Sequence, residues 1–179
     1  AGLLGRKNNF THLAGKWLGL PVPPTWWFRS REQLNGSRKE MGYPCYLKLS
    51  DHGINGISTK RCATPAELDQ GLARIGEDVP FQIQAEVSPN GSSMGLEILE
   101  AVGSLSNGGR DLDREGVLVL RPERIAPAPA VWQQEVFRLL EPVFGHLRRY
   151  AATGLFSFKL AMTRYGRERE YQLLSCRPR

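Results

Sequence analysis

A short apolar segment that brings a single lysine to a glycine-containing loop constrains this chain more than any other feature. Residues 44–49, Pro-Cys-Tyr-Leu-Lys-Leu, have the aromatic and aliphatic content of a half-buried strand. The polar residues 50–58 follow, and they include Gly53 and Gly56. Because glycine has no Cβ atom, such a loop can bring successive backbone N–H groups close to a phosphate. The segment predicts a rigid strand that presents Lys48 beside a phosphate-binding loop.

The same loop holds further groups able to meet a ligand. Ser50 and Ser58 carry hydroxyl donors, Asn55 lies between the two glycines, and His52 is the one histidine placed near a ligand. The plainer interpretation is that glycines at the end of a strand make an ordinary turn.

The flanking segments predict two helices and a strand. Residues 8–18 carry apolar side chains at helical spacing, and Gly19 ends this helix. The apolar side chains are Phe10, Leu13, Trp17 and Leu18. A strand is expected at 26–28. Thr64-Pro65-Ala66-Glu67 combines a cap residue, a proline at the first helical position and a glutamate at the third, which predicts the second helix.

Residue patterns in the rest of the chain predict further strands, loops and a helix. Residues 81–87 alternate apolar and polar side chains and predict a half-buried strand, in which Glu86 could simply be an exposed strand residue. The further expectations, in chain order, are a glycine-rich hairpin loop at 103–116, a buried strand at 117–120, a stiff connector at 126–129, a helix at about 131–152 with Pro142 inside it, and a hairpin turn at Tyr165-Gly166.

Taken together, these pieces resemble the ATP-grasp family of carboxylate ligases, and the loop is most similar to the D-alanine ligase-like and biotin carboxylase-like members. The order and spacing of the motifs carry the resemblance over nearly the whole chain. The motifs are Gly-Leu-Pro-Val-Pro at 19–23, Gly-Tyr-Pro at 42–44 before Lys48, Gly-Ile-Asn-Gly-Ile at 53–57, Thr-Pro-Ala-Glu-Leu at 64–68, the strand at 81–87, Gly-Leu-Glu at 95–97, Gly-Leu-Phe-Ser-Phe at 154–158 and Arg-Pro at 177–178.

The resemblance implies an α+β ATP-grasp fold in which two α+β subdomains enclose a nucleotide cleft. Residues 8–87 would form the first subdomain, with its leading helix, and residues 88–179 the second. Complete relatives carry an additional N-terminal α/β domain, which these 179 residues lack, so a fragment or a subunit completed by a partner is expected. In the family, ATP phosphorylates a carboxylate to an acylphosphate, which an amine or another nucleophile then attacks.

The resemblance also implies the nucleotide contacts. Lys48 and the loop residues Ser50, Gly53, Asn55 and Gly56 would meet the phosphates. Adenine would dock on the backbone of the linker Ala85, Glu86 and Val87. Glu97 matches the acidic residue that begins the next strand, and Lys159 lies where the family has a metal ligand.

The expected magnesium ligands are replaced. Catalytic relatives hold magnesium with an acidic residue on the first strand of the final hairpin and with a glutamate and an asparagine on the second. The matching positions here are Lys159, Leu173 and Ser175. None of them is a carboxylate, although hard cations bound to phosphates need oxygen ligands that compensate their charge.

Three hypotheses follow. The chain is an active ligase whose magnesium is held by unusual ligands such as Glu97, Glu168 or Glu170. Alternatively, it is a catalytically degenerate relative in which Lys159 fills the space of the lost cation and the fold binds a nucleotide or an acidic partner. The third hypothesis is a structural subunit without ligand or catalysis.

Composition argues against several other classes of protein. The net charge is +6, but the arginines are spread along the chain and do not form one stripe, so a solvated surface, a nucleotide or an acidic partner subunit is expected before a nucleic acid. The resemblance adds a small carboxylate substrate to the expected partners. An oligomer or a completing subunit is compatible with this reading. No apolar stretch reaches the length of a membrane span. The three cysteines show no metal-binding or disulfide spacing, which predicts buried thiols and a cytoplasmic location.

Overall fold

The computed structural model describes residues 7–49, 59–88, 95–105, 117–121, 126–150 and 154–178. The chain divides into two compact units. Pro23–Val87 lies in the first, called here the N-terminal unit, and Phe10–Val22 together with Ser88–Arg179 in the second, the C-terminal unit. Residues Phe10–Val22 precede the N-terminal unit in sequence but group with the C-terminal unit. The assignment of residues 8–87 and 88–179 to two ATP-grasp subdomains stays a prediction.

The elements of the N-terminal unit are β1 (Thr25–Phe28), α2 (Leu34–Ser37), a 3₁₀ turn (Arg38–Glu40), β2 (Cys45–Leu49), β3 (Thr59–Cys62), α3 (Pro65–Ala73) and β4 (Phe81–Ala85). The four strands form an antiparallel sheet with order β1-β4-β2-β3. The strand predicted to end at Val87 therefore ends two residues earlier, at Ala85.

Helix α3 forms as its sequence predicts. Thr64 caps it by accepting a hydrogen bond from the Glu67 N–H at 3.3 Å, and the Glu67 carboxylate accepts one from the Ala63 N–H at 2.8 Å. The helix lies close to β2, because a Cβ atom added at Gly71 would come within 2.9 Å of the Leu47 side chain. α3 thereby covers one face of the sheet and supports the strand that carries Lys48.

The core of the N-terminal unit lies between α3 and one face of the sheet. Its buried members are Phe28, Leu34, Met41, Cys45, Leu47, Leu49, Cys62, Leu68, Leu72, Ile75, Phe81 and Ile83. Side chains alternate between the two faces of a strand, so Tyr46 and Lys48 on β2 and Gln82 and Gln84 on β4 point away from this core. We call the side opposite α3 the outer face of the N-terminal sheet.

The C-terminal unit is a five-stranded antiparallel sheet with order β7-β6-β5-β8-β9. Its elements are β5 (Gly95–Leu105), β6 (Val117–Arg121), β7 (Ala126–Pro127), α4 (Ala130–Arg149), β8 (Gly154–Tyr165) and β9 (Glu168–Pro178). Two expectations are corrected: Gly103–Leu105 continue β5 rather than starting the loop, and part of the 126–129 connector pairs with β6 as β7. The predicted hairpin turn is confirmed, with Gly166 at φ 61°.

Helix α4 covers one face of this sheet with the predicted apolar side, and Pro142 lies inside it. The buried side chains of α4 are Trp132, Val136, Leu140, Val143, Phe144 and Leu147, and they pack with Leu99, Ala101, Phe158 and Leu160 of the sheet. We call the side away from α4 the outer face of the C-terminal sheet. No helix in the described parts of the chain is long and apolar enough to cross a membrane.

The N-terminal segment packs on the same core. Helix α1 (Lys7–His12) continues into a π-helical turn at Leu13–Trp17, which Leu18 caps, and Gly19 follows with a φ of 64°. The wider turn shifts the register of the side chains, so Phe10 and Ala14 are buried whereas Trp17 is 74% exposed. Trp17 was expected on the apolar side, and that prediction is wrong.

Candidate functional site

The outer face of the N-terminal sheet carries Lys48 on a rigid, buried strand. The Lys48 side chain is only 8% exposed, and its Nζ donates a hydrogen bond to Oε1 of Gln84 on the neighbouring strand β4. The Gln84 amide is held in turn, because its Nε2 donates to Oγ1 of Thr25 on β1 at 3.2 Å. Thr25 completes the chain by donating to the carbonyl of Pro23 at 2.7 Å. Side chains from three strands and the Pro23 carbonyl thus fix the position of one ammonium group.

The Gln84 amide is neutral, so its hydrogen bond orients the Lys48 ammonium through a dipole. A lysine ammonium carries three N–H donors and a positive charge, and both suit an anionic group such as a phosphate.

Gln82 lies beside Lys48 on the same outer face. In the strand register it is directly opposite Lys48 of β2 and Trp27 of β1. The side chain is 1% exposed, and within the described parts of the chain neither Nε2 nor Oε1 has a hydrogen-bond partner. The alternation at 81–87 predicts a half-buried strand, but Gln82 and Gln84 on its polar side are both buried.

The predicted adenine linker lies at the end of β4. The backbone N–H of Ala85 donates to the Pro24 carbonyl at 2.8 Å, and that of Glu86 donates to the Pro44 carbonyl at 3.1 Å. These two donors are therefore already engaged within the unit. Val87 follows the strand and is partly exposed.

The Glu86 side chain is held by an arginine. Arg61 of β3 binds its carboxylate through Nε at 2.5 Å and Nη2 at 3.0 Å. The hydrogen bond from Arg61 lowers the pKa of Glu86, and burial raises the pKa of the adjacent Tyr46. Glu86, expected in the plainer interpretation as an exposed strand residue, is partly buried just after β4 and forms a fixed ion pair at the edge of the outer face.

The other predicted phosphate contacts lie outside the described residues. Ser50, Gly53, Asn55 and Gly56 all fall in 50–58. Their assignment to the nucleotide stays a prediction.

In the C-terminal unit, Glu97 faces α4. On β5 it shares the side of Leu99 and Ala101, which pack against that helix. Its Oε2 accepts a hydrogen bond from Nε of Arg121 at 2.9 Å, and the Arg121 guanidinium lies over the Trp132 ring at 5.1 Å from its centre. Glu97 is thus part of an ion pair and cation–π stack that attaches β5 and β6 to α4.

Lys159 lies on the opposite side, the outer face of the C-terminal sheet. It is exposed and is paired in register with Glu100 of β5 and Ser175 of β9. Glu100 accepts a hydrogen bond from the Ser157 hydroxyl through Oε1. Leu173, the other position matched to a metal ligand, is fully buried in the core against α4. Lys159 therefore lies on the outer face of the C-terminal sheet, whereas Glu97 and Leu173 lie on the face that α4 covers.

The positions matched to the magnesium ligands do not suit a dication. Lys159 is a cation, Leu173 has no donor, and Ser175 supplies a neutral hydroxyl. The alternative magnesium ligands Glu97, Glu168 and Glu170 do not replace the missing carboxylates. Glu97 lies on the other face of the sheet, where Arg121 binds it. Glu170 is paired with Thr163, four residues along β8 from Lys159 and thus about 13 Å away, and Glu168 lies beyond it. No cluster of three His, Cys, Asp or Glu side chains able to hold a metal occurs among the described residues.

Sequence reasoning missed Gln84 and Thr25, which support Lys48, and Arg61, which holds Glu86. These three residues come from β4, β1 and β3, and only the pairing of these strands with β2 and with each other brings them to the outer face. The one available signal was the pair of glutamines in the 81–87 alternation. It indicated a polar side without showing that this side is buried.

Comparison with known proteins shows the fold. No protein-family model matches the chain, and no curated protein matches it. Solved structures do match. One of them is D-alanine-D-alanine ligase from Helicobacter pylori, with a TM-score of 0.69 and 13% identity over 98% of this chain. N5-carboxyaminoimidazole synthetase from Staphylococcus aureus complexed with ADP matches with a TM-score of 0.64 and 14% identity over 98% of the chain. A RimK domain ATP-grasp protein from Sphaerobacter thermophilus matches with a TM-score of 0.63 and 16% identity over 96%.

These likenesses establish the ATP-grasp fold that the sequence motifs predict, an α+β architecture with two antiparallel sheets. The chain spans 51%, 45% and 58% of those three structures respectively, which is about half of their length.

Proposed function

We propose that this chain binds ATP and is the nucleotide-binding part of an ATP-dependent carboxylate ligase. The single observation that carries the proposal is the buried Lys48 ammonium, held on the outer face of the N-terminal sheet by Gln84. A phosphate is the anion that this position suits, and the solved structures with this fold include complexes with ADP and ATP. The fold and the charge thus support the same ligand.

In the proposed reaction the γ-phosphoryl group of ATP passes to a substrate carboxylate and leaves ADP. The resulting acylphosphate is attacked by a nucleophile such as an amine, and the bond to phosphate breaks. Lys48 would stabilise the negative charge on the phosphate oxygens from a fixed position, where it costs no reorganisation. Because the chain spans about half of each matched structure, the carboxylate, the nucleophile and the ligation step belong to the proposal alone.

The remaining nucleotide contacts are proposed on the same basis. The loop residues Ser50, Gly53, Asn55 and Gly56 would supply backbone and side-chain donors to the phosphates, and the linker Ala85–Val87 would lie beside the adenine. Since the Ala85 and Glu86 N–H groups are engaged, the Val87 N–H and the linker carbonyls are the groups we assign to the base.

Magnesium is not assigned to the chain's own residues. The donor set at Lys159, Leu173 and Ser175 does not fit a dication, so no step is derived through one. We propose instead that Lys159 offers a positive charge to the nucleotide.

Thermal melting of the chain with ATP tests the proposal, with magnesium in one series and EDTA in the other. ATP should raise the melting temperature in both series, as mass action requires of any ligand that binds only the folded state. A rise that needs magnesium would favour the ligase with unusual metal ligands. No rise in either series would favour the structural subunit and contradict ATP binding.

A further inference from the structure

We propose that Arg164 anchors a second binding site, which takes the carboxylates of an acidic peptide segment on a partner polypeptide. Arg164 lies on β8 and shares a side of the C-terminal sheet with Met162, which is buried in the core that α4 covers. The site therefore involves neither Lys48 nor Lys159. It goes beyond the ATP-binding function and does not depend on it.

Arg164 differs from two other arginines on this side of the sheet. Arg121 binds Glu97 at 2.9 Å, and Arg169 binds Glu135 through two hydrogen bonds of 2.7 and 2.6 Å. Arg164 forms no hydrogen bond or ion pair within the described parts of the chain, and its Nε is shielded from water. Since polar groups sheltered from water are almost always paired in folded proteins, an arginine of this kind indicates a missing partner.

The charges around Arg164 favour an anion. Arg164 and Arg169 are directly opposite each other in the register of β8 and β9, and like charges at such a pair repel. The Glu135 carboxylate compensates one of the two guanidinium groups. Its pKa is lowered by the hydrogen bond from Arg169 and also by the nearby charge of Arg138 on α4, so a third arginine adds to the positive charge here. An incoming carboxylate would offset the repulsion.

A partner can reach the end of the Arg164 side chain. The residue is partly exposed, and Gly95 of β5 is directly opposite it in register. Gly95 has no side chain to cover the guanidinium, and a Cβ atom added there would lie 3.9 Å from Nη2. The Nη nitrogens can therefore donate to an oxygen atom of a partner while Nε stays within the protein.

The pairing on this side of the sheet favours a carboxylate carried by a polypeptide. Arg121 and Arg169 each hold a carboxylate, whose two oxygen atoms match the planar guanidinium. A single carboxylate would bind weakly, because isolated exposed ion pairs contribute little. A run of acidic side chains would also meet the charges of Arg138 and Arg169, and it complements the net charge of +6.

Fluorescence anisotropy with a labelled hexaglutamate peptide tests the site in the wild-type chain and in two variants. Arg164→Gln removes the charge of the anchor, and Arg148→Gln, which removes an exposed arginine in the last turn of α4, is the matched control. We expect Arg164→Gln to bind the peptide about tenfold more weakly and the control to bind like the wild type. Equal weakening in both variants would indicate a general effect of net charge and would overturn the proposal. Unchanged affinity in Arg164→Gln, or no binding by the wild type, would overturn it as well.

Stability of the peptide-free protein gives a second readout. Arg164→Gln should melt at the same temperature as the wild type or higher, because it removes the repulsion from Arg169. A lower melting temperature would show that Arg164 is paired within the protein and would contradict the proposal. Binding of single-stranded DNA through Arg164, without binding of hexaglutamate, would assign the site to a nucleic acid instead. Absence of ATP binding by the wild type would refute the proposed function alone.

Discussion

Lys48 and Gln84 are joined across two strands by a hydrogen bond from the lysine Nζ to the glutamine Oε1, on the face of the sheet away from its hydrophobic core. Both side chains are buried. The contact fixes the direction of the ammonium group, because the amide oxygen accepts from one of its three N–H donors. A cation held in a fixed position suits an anionic ligand.

Replacing Lys48 with alanine should abolish the stabilisation that ATP confers. The variant loses the ammonium that meets the phosphates while the fold of the other strands is retained. The measurement is the shift in melting temperature on adding ATP. Lys39→Ala is the matched control, because Lys39 is an exposed lysine of the same unit and should keep the full shift. An ATP shift in Lys48→Ala equal to that of the control would refute the assigned role.

Magnesium should add little to ATP binding. The residues at the metal-ligand positions include a lysine and a buried leucine, and like charge repels a dication. Calorimetric titration with ATP should give similar affinities in magnesium and in EDTA. Lys159→Glu should weaken binding in EDTA, because it replaces the proposed cationic contact with a carboxylate. Binding that is strong only in magnesium would contradict this account.

The C-terminal unit should lose an ion-pair contribution to stability in acid. Arg169 of β9 holds the Glu135 carboxylate of α4 through two hydrogen bonds of 2.7 and 2.6 Å, and the Tyr171 hydroxyl donates a third at 2.5 Å. The hydrogen bond from Arg169 lowers the pKa of Glu135 below its usual 4.5. A carboxyl whose pKa is lower in the folded state stabilises the protein above its unfolded pKa, and this contribution disappears as the pH falls through the folded pKa.

Denaturant unfolding of the wild type and Glu135→Gln between pH 3 and pH 7 measures this effect. The variant should be less stable than the wild type at pH 7, and the difference should shrink below about pH 4.5. A difference that stays constant with pH would show that the carboxylate charge does not contribute.

The three cysteines should resist alkylation in the folded protein. All are buried thiols, as the sequence predicts, and Cys45 and Cys62 lie opposite each other on β2 and β3. Burial raises the pKa of Cys45 from 9.0 to about 11 and that of Cys176 to about 12. The thiolate is the reactive form, so it is scarce at pH 8. Mass spectrometry after iodoacetamide treatment should find no labelling until denaturant is added, and rapid labelling of the native chain would be inconsistent with this packing.

Thr64→Ala should destabilise the N-terminal unit by about 1 kcal/mol, because it removes the cap of α3. Thr64→Ser keeps the oxygen that accepts from Glu67 and should be close to the wild type in denaturant unfolding. Equal losses in the two variants would mean that the cap is not what matters at this position.

Local chemistry explains which parts of the fold could be predicted. The strand carrying Lys48, the capped helix at Thr64 and the apolar side of α4 depend on residues close together in sequence, and each was predicted from them. The π-helical turn at Leu13–Trp17 was not predicted, and one wider turn changes the side of the helix on which Trp17 lies. Such a turn has no distinctive amino-acid composition by which the sequence would reveal it.

The site was predicted less completely, because it depends on pairing between distant strands. Lys48 stood out from its neighbours, but Gln84 and Thr25 reach it only through the β1-β4-β2 order. The surroundings of Glu97 could not be predicted for the same reason. The face of the sheet on which Glu97 lies depends on the register of β5, and its partner Arg121 is 24 positions away in the sequence. The role of Glu97 in nucleotide binding stays a prediction, as do those of the residues in 50–58.

Isothermal titration of the chain with ATP is the decisive measurement for nucleotide binding at Lys48. We expect a saturable heat of binding that is retained in EDTA and lost in Lys48→Ala. No heat at either low or moderate ionic strength, from wild-type protein shown to be folded, would contradict it.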